Sequence, residues 1–412
     1  MEAIKISNRT PVPAIEWLFI IFWCRSSIIE FVLQVIKRIP YLGLVYEYIV
    51  PAIVAFLLIV AIIQIKRVNV TDLIIVAVIF VAITFGAIKY SEAGSAEWKA
   101  VYIYALPLLL MGLLVDGRKF VWRRYTLFNS LFLLSALNII ATICYVFYFM
   151  TTRAVSNDSM HWAYTILPSI LMVIYYAFTK KKLFAWVIAA LGMLYLFSMG
   201  TRGPVVCALT MFVLLVIERT DWQKNWWLLV AIAVIVLIIG QTDLLINITK
   251  QIRNVIADIG LSTRSLDLLL NRNILYDAGR NNITQTLIDA VKERPLLGYG
   301  IFADRYLSNY GTYATGRYAH NILIEMWIDF GIVIGTILCA VLAWLCLKGL
   351  KDSKRDTGRQ GLLMVFICIG IVKLLMSGSY LLEPYFFLLI GYSINIIRKT
   401  ELQNQIHIEG EM

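Results

Sequence analysis

The chain has 412 residues, of which 60% are hydrophobic and only 15% are charged, and its formal net charge is +11. An ordinary soluble protein is close to half apolar and about a quarter charged, so this composition excludes a soluble globular protein. It predicts an all-α polytopic membrane protein whose residues 1–412 form a single integral membrane domain.

Apolar runs of the length that a spanning helix needs recur along the whole chain. They predict about twelve transmembrane helices, at residues 17–36, 44–65, 71–88, 99–115, 126–149, 162–179, 183–199, 204–218, 226–247, 321–347, 361–380 and 384–397. Arg25 and Glu30 lie within the first run, so the sequence leaves open whether that run fully crosses the bilayer. Lys373 lies within the eleventh run. Ionisable residues inside spans are candidates for function, but the sequence does not assign a role to any of these three.

Lysines and arginines are unevenly divided between the two sides of the predicted spans. One set of short connections, together with both terminal segments, contains twenty of them, whereas the opposite set contains six. Because cationic connections stay in the cytoplasm, we predict that both termini are cytoplasmic. The long segment at residues 248–320 then forms one large extracytoplasmic loop.

This loop has helical character next to its C-terminal end. The apolar residues that would share one face of a helix are Ile283, Leu287, Ile288 and Val291. Pro295 would end that helix, and the sequence LLGYG at residues 296–300 predicts a turn. We expect short helices that lie on the membrane and cap a cavity between the spans.

Standard cofactor motifs are absent from the sequence. It contains no Walker A loop, no G-x-G-x-x-G, no G-x-S-x-G and no H-E-x-x-H. Three histidines and scattered acids do not predict a metal site, and the six cysteines lie singly in apolar runs. We therefore expect no cofactor and no metal. The positive charge is placed at the membrane connections, so nucleic acid is not an expected partner.

Two arginines stand beside glycines at predicted turns. Arg202 lies in SMGTRGP, an outward hairpin between two short predicted spans, where a guanidinium could bind phosphate oxygens or could simply mark a helix end. Arg280 precedes the amphipathic loop helix, whose N-terminus attracts phosphate, although the local sequence favours a solvated loop charge, the usual environment of such an arginine.

His320 lies where the loop meets the tenth predicted span, in the sequence RYAHN. Histidine is the side chain best suited to accept a proton near neutral pH. The alternative is a helix-terminal residue that bonds to the loop, or an interfacial aromatic residue. The local sequence leaves both interpretations open.

Three motifs form a set over residues 183–347. They are the turn that contains Arg202-Gly203, the pair Gly279-Arg280 followed by a helix that ends in PLLGYG, and His320-Asn321 followed by Gly331 and Gly335. As a set they resemble the O-antigen ligase and O-antigen polymerase superfamily of bacterial envelope glycosyltransferases. The family often has Glu-x-Gly in the tenth span, where this chain has Asp329-Phe330-Gly331.

The resemblance implies a membrane glycosyltransferase C-type fold in the bacterial inner membrane, with the active site facing the periplasm. It also implies an undecaprenyl-diphosphate-linked glycan as donor and a glycan or glycolipid as acceptor, among membrane lipids. By the same resemblance, Arg202 and Arg280 bind the donor diphosphate and His320 activates or orients the acceptor hydroxyl. Arg317, Asn321 and Tyr299 are expected to line the same pocket as substrate-binding residues.

The resemblance leaves two sister activities open, and it allows a chain-length regulator as a further partner. A polymerase transfers the glycan onto another lipid-linked repeat unit, whereas a ligase transfers it onto lipid A–core. We favour an inverting, metal-independent polymerase. A transporter or flippase for lipid-linked oligosaccharide is the alternative from a different class, but the two related halves that such a protein would show are not visible in the sequence.

Overall fold

The computed structural model describes residues 14–24, 70–88, 101–102, 106–115, 120–122, 125–151, 159–199, 201–219, 250–251, 253–254, 257–258, 267, 270, 280–309 and 318–409. The α-helices in these ranges are α1 (Ala14–Cys24), α2 (Val70–Ile88), α3 (Leu106–Leu114), α4 (Leu127–Thr151), α5 (Ser159–Lys180), α6 (Leu183–Ser198), α7 (Arg202–Arg219), α8 (Arg280–Glu293), α9 (Ala303–Leu307), α10 (Ile322–Ser353), α11 (Thr357–Ile367) and α12 (Pro384–Glu409). Between α3 and α4, strands β1 (Phe120–Trp122) and β2 (Tyr125–Thr126) form a short antiparallel pair.

The helices of the described ranges confirm a polytopic helical membrane protein. Four are long and apolar enough to cross a bilayer, namely Leu127–Tyr145, Met160–Lys180, Ile322–Ser353 and Thr357–Leu375. Val70–Thr84 and Leu183–Phe197 are shorter apolar helices. The predicted runs at 44–65 and 226–247 lie outside the described residues, as does most of the first run with Arg25 and Glu30, so the total of about twelve spans stays a prediction.

Small residues and buried polar bonds hold the spanning helices together. Lipid tails are as apolar as leucine, so helix association in a bilayer depends on close packing and hydrogen bonds. Gly112 in α3 and Gly391 in α12 each lie against the backbone of the other helix, where a Cβ would clash. Asn138 in α4 donates a hydrogen bond to Ser169 in α5, 3.0 Å away. These contacts fix the helices that surround the site.

Helix α10 is broken at Gly331, which has φ 81° and ψ 167°. The part before the break folds back on the part after it. The Met326 sulfur lies 3.3 Å from the Cys339 sulfur, and the Trp327 indole donates to the Thr336 hydroxyl at 3.1 Å. Residues nine or thirteen apart would be far from each other in a straight helix, so residues 322–330 form a separate fold-back helix.

The predicted single span at 321–347 therefore needs correction. The continuous helix runs over residues 332–353, which extend about 33 Å and match the hydrocarbon thickness of a bilayer. Its exposed apolar side chains, such as Val333, Ile337, Val341 and Trp344, form a lipid-facing surface. Hydropathy counted the fold-back helix as part of the span because both parts are apolar.

The turn at residues 295–300 fills the break in α10. The amides of Tyr299 and Gly300 donate to the carbonyl oxygens of Ile328 and Asp329 at 2.6 and 3.1 Å, and the amide of Ile332 donates to the Pro295 carbonyl at 2.6 Å. A broken helix frees backbone groups that must be satisfied within protein at membrane depth. The 295–300 turn supplies these partners.

Two glycines make this close contact sterically feasible. Gly298 has φ 60°, and a Cβ there would lie 2.6 Å from both the Ile328 carbonyl oxygen and the Gly331 amide nitrogen. A Cβ at Gly331 would clash with the Leu296 carbonyl. The glycines of the PLLGYG sequence and of the tenth predicted span thus serve one backbone junction.

Helix α8 confirms the predicted amphipathic loop helix. Its buried residues Leu287 and Val291 pack with Tyr299, Ala319 and Ile328 in one apolar cluster. On its exposed face, hydrogen bonds from Lys292 and Gln285 lower the pKa of the Asp289 carboxyl, so this face stays charged and hydrated. Of the predicted loop at residues 248–320, helix α8 and the 295–300 turn thus pack against the fold-back helix.

Candidate functional site

His320 occupies a constrained position directly before the fold-back helix. Its φ of 54° places it in the left-handed region, which non-glycine residues enter only when their surroundings hold them there. The side chain is half-buried, and its ring centroid lies 3.8 Å from that of Tyr318 at an interplanar angle of 40°. The backbone and one aromatic neighbour together set the direction of the imidazole.

Asn321 ties this segment to a neighbouring span. Its side-chain oxygen accepts a hydrogen bond from the Leu323 amide at 2.9 Å and thereby caps the fold-back helix. Its side-chain nitrogen donates to the Leu375 carbonyl at 3.3 Å. The structure gives Asn321 a positional role, and the predicted contact with substrate stays a prediction.

The Arg202 turn (residues 201–203) lies beside a second charged group. Arg202 begins α7 and is half-buried. The next residue, Gly203, lies so close to the Tyr164 hydroxyl that a Cβ would clash with it. Above the Tyr164 ring, 4.7 Å from its centroid, lies the ammonium of Lys373, which forms an ion pair with Glu383.

The stretch at residues 373–383 therefore lies close to both predicted parts of the site. Asn321 reaches it at Leu375, and the Arg202 turn reaches it through Tyr164 and Lys373. Helix α11 changes to a π turn at Cys368–Val372 and then to a 3-10 turn at Lys373–Leu375. Such π turns are frequently found at functional sites. Lys373, whose role the sequence left undecided, is the residue at which the π turn gives way to the 3-10 turn.

The other predicted residues are placed only in part. Arg280 begins α8, and α8 packs against Ala319, the neighbour of His320. The side chain of Arg280 and the whole of Arg317 lie outside the described residues. Tyr299 is buried, donates a hydrogen bond to Glu293 at 3.1 Å, and carries the Arg294 guanidinium 4.9 Å from its ring centroid. These contacts give Tyr299 a packing role, and its predicted contact with substrate stays a prediction.

A charged cluster lies buried behind His320, comprising Asp304, Arg305, Glu325 and Asp329. We call these four residues the acid–arginine cluster. Arg305 donates to Asp304 at 2.8 Å and lies 3.9 Å from Glu325. A buried charge is costly unless it is paired and hydrogen-bonded. Each charged residue of this cluster therefore depends on its partners to remain buried.

The acid–arginine cluster also binds the stretch at residues 373–383. The Glu325 carboxylate accepts hydrogen bonds from the Ser379 hydroxyl and from the Tyr380 amide, the latter at 3.1 Å. The Tyr380 hydroxyl donates to Asp329 at 2.7 Å. The fold-back helix and the 373–383 stretch are therefore joined by hydrogen bonds at two of its acids, Glu325 and Asp329.

Sequence reasoning missed most of this cluster. Glu325 and Asp329 are acids within a predicted span, which is a usable signal of function or pairing. Asp304 and Arg305 carry no such signal, because adjacent opposite charges in a loop are ordinarily solvated. Among the described residues, no group of three or more His, Cys, Asp and Glu side chains is arranged to hold a metal ion.

Comparison with known families identifies the segment that carries this geometry. Residues 186–340 match the family model described as O-antigen ligase. The match confirms the resemblance to the O-antigen ligase and polymerase superfamily. It indicates a membrane protein of glycosyl-transferring type. The matched segment contains Arg202, Arg280 and His320, whereas Lys373 lies beyond it. No match was found among curated proteins or among solved structures.

Proposed function

We propose that the chain is an inverting membrane glycosyltransferase that moves an undecaprenyl-diphosphate-linked glycan onto a sugar hydroxyl, and that it acts as a polysaccharide polymerase. The observation that carries the proposal is that the 373–383 stretch lies next to both predicted parts of the site: Asn321 bonds to it at Leu375, and Lys373 lies over the Tyr164 ring that the Arg202 turn contacts. The O-antigen ligase match over residues 186–340 supports the same reaction class.

The chemistry assigns one step to each type of side chain. The acceptor hydroxyl oxygen attacks C1 of the donor sugar, and His320 takes the hydroxyl proton. The bond between C1 and the diphosphate oxygen breaks, and its electron pair leaves with the lipid diphosphate. Arg202 and Arg280 stabilise the negative charge that develops on that leaving group. Attack opposite the leaving group inverts the anomeric centre.

The polymerase uses a lipid-linked repeat unit as acceptor, and the ligase uses lipid A–core. The donor chemistry is the same for both, and the preference for the polymerase rests on the sequence alone. In this proposal the site faces the periplasm and takes its donor from the surrounding membrane, where a chain-length regulator is a further partner.

Reconstitution in proteoliposomes tests the proposed reaction. Purified protein would receive lipid-linked oligosaccharide with and without lipid A–core, and products would be sized by electrophoresis. A ladder without core supports the polymerase, whereas product only on core identifies a ligase. Movement of the lipid-linked oligosaccharide across the bilayer without any new glycosidic bond would overturn the proposal in favour of a flippase.

Variants test the assigned roles in the same assay. Arg202→Ala should lower the transfer rate by about 100-fold or more, since it removes a guanidinium that stabilises negative charge in the transition state. His320→Ala should lose turnover while donor binding persists. Lys182→Ala is the matched control, because this lysine is exposed in the α5–α6 connection. Normal transfer by Arg202→Ala would refute the role given to that arginine.

A further inference from the structure

We propose that Asp304 and Arg305 are positioning residues that hold the ring of His320 in its working orientation. The proposal rests on the proposed function only for its consequence for turnover. Its structural part concerns the backbone and ring of His320 and stands on contacts alone.

Asp304 fixes the backbone next to His320. One oxygen of its carboxylate accepts a hydrogen bond from the Arg305 guanidinium at 2.8 Å. The other oxygen accepts the Ala319 amide hydrogen at 2.9 Å. Ala319 directly precedes the left-handed residue His320, and Asn321, which directly follows it, is held by its cap. The strained backbone is thus held on both sides.

Arg305 fixes the ring through Tyr318. The centre of its guanidinium lies 4.5 Å from the ring centroid of Phe302 and 6.0 Å from that of Tyr318. Tyr318 in turn contacts the His320 ring at 3.8 Å between centroids. A cation near an aromatic ring is attracted to it, so the position of Arg305 is transmitted to the tyrosine and then to the histidine.

Both residues are too buried to act on substrate directly. Asp304 and Arg305 are 0% and 1% exposed, so a bound sugar or diphosphate would not contact them. Arg305 also lies 3.9 Å from Glu325, which bonds to Ser379 and Tyr380 in the 373–383 stretch. The pair is therefore connected to the His320 segment on one side and, through Glu325, to the 373–383 stretch on the other.

Histidine NMR tests the structural part without any activity assay. The chain has only three histidines, so selective ring labelling in nanodiscs gives three sets of signals, and His161→Gln and His407→Gln identify that of His320. Asp304→Asn should shift and broaden the His320 ring signal. The matched control is Asp72→Asn, since Asp72 is an equally buried carboxylate paired with an arginine, Arg398, on other helices.

A second variant covers the case in which Asp304→Asn does not fold. Tyr318→Leu leaves the Asp304–Arg305 pair in place but removes the ring that contacts His320, and Tyr318→Phe restores that ring. The leucine variant should shift the His320 signal, and the phenylalanine variant should return it. An unmoved His320 signal in Tyr318→Leu and in folded Asp304→Asn would overturn the proposal.

Turnover provides the functional arm. With lipid-linked donor, Asp304→Asn should lower kcat by roughly 100-fold, the effect of a small misplacement of a reacting group, with the donor KM nearly unchanged. An unchanged kcat in an active wild-type background would overturn the proposal. If wild-type protein transfers no sugar, the proposed function fails, and the NMR result alone decides the positioning role.

Discussion

Lys373 shows how one charged side chain is kept within a helical membrane protein. Its ammonium pairs with Glu383 and lies over the Tyr164 ring, and both partners come from other elements of the chain. A charge within a span is costly and ordinarily has a partner or faces a polar cavity. The Tyr164 ring under this ammonium also contacts Gly203, so the ion pair is linked to the Arg202 turn through one aromatic side chain.

Asn321 allows its two candidate roles to be separated. Asn321→Ala should cost about 1 kcal/mol of stability through loss of the helix cap and should also lower transfer, because the cap places His320. Asp356→Ala is the matched control, since Asp356 caps α11 with hydrogen bonds to the Gly358 and Arg359 amides. Detergent unfolding and the transfer assay would measure both. Equal transfer by the two variants would contradict a functional role for Asn321.

At the scale of elements, the junction between the 295–300 turn and broken α10 explains the glycines of the PLLGYG sequence and of the tenth predicted span. The glycines that resemble a family motif meet at one backbone contact. The contact places the fold-back helix between α8 and the 373–383 stretch, so His320 is positioned from several directions. The glycines of the motif therefore affect the site by positioning the fold-back helix that follows His320.

Alanine at either glycine should disrupt this junction. Gly331→Ala and Gly298→Ala each combine a positive φ with a backbone clash, and we expect a loss of roughly 2 kcal/mol or more. Gly349→Ala provides the control in the same span, where a Cβ would meet the flexible Leu363 side chain at 3.1 Å and Ser393 at an ordinary contact distance of 3.7 Å. Thermal unfolding in detergent measures the difference. Melting temperatures equal to that of Gly349→Ala would contradict the importance of this backbone contact for stability.

Some elements were predictable from the sequence and others were not, for physical reasons. The periodicity of α8 predicted its buried face, because burial follows the helical repeat. The break at Gly331 was hidden, since the two parts of α10 have the same hydropathy. The contact of Asp304 with Ala319 was also hidden, because it depends on tertiary packing that no local pattern records. His320 and Arg202 were found through their motifs and Lys373 through its position within a span, but the contacts that link Lys373 to Tyr164 and Glu383 depend on the fold.

At the scale of the whole molecule, helix ends that the charge asymmetry assigns to the same side of the membrane contact each other. Lys354 after α10 lies 3.6 Å from Glu218 at the end of α7. Gln360 near the start of α11 accepts a hydrogen bond from Tyr175 near the end of α5 at 3.3 Å. These ends were all assigned to the cytoplasmic side, so one face of the bundle collects them, while the membrane side itself remains a proposal.

Cysteine labelling in spheroplasts tests that orientation. In a background without the native cysteines, Leu297→Cys in the 295–300 turn should react with an impermeant maleimide added from outside. Lys182→Cys in the α5–α6 connection should react only after permeabilisation. Both positions are exposed, so access depends on the side of the membrane. The reverse labelling pattern would invert the topology.

The break in α10 has a consequence for biogenesis. The apolar stretch from Ile322 to Ser353 has 32 residues and would extend about 48 Å as one helix, well beyond the bilayer core. The translocon can insert the span at residues 332–353, but the fold-back helix reaches its place only when the 295–300 turn, which the proposed topology places outside, has docked against it. Substitutions that disrupt that turn should therefore yield a protein that inserts into the membrane normally but does not place the fold-back helix and the His320 segment before it.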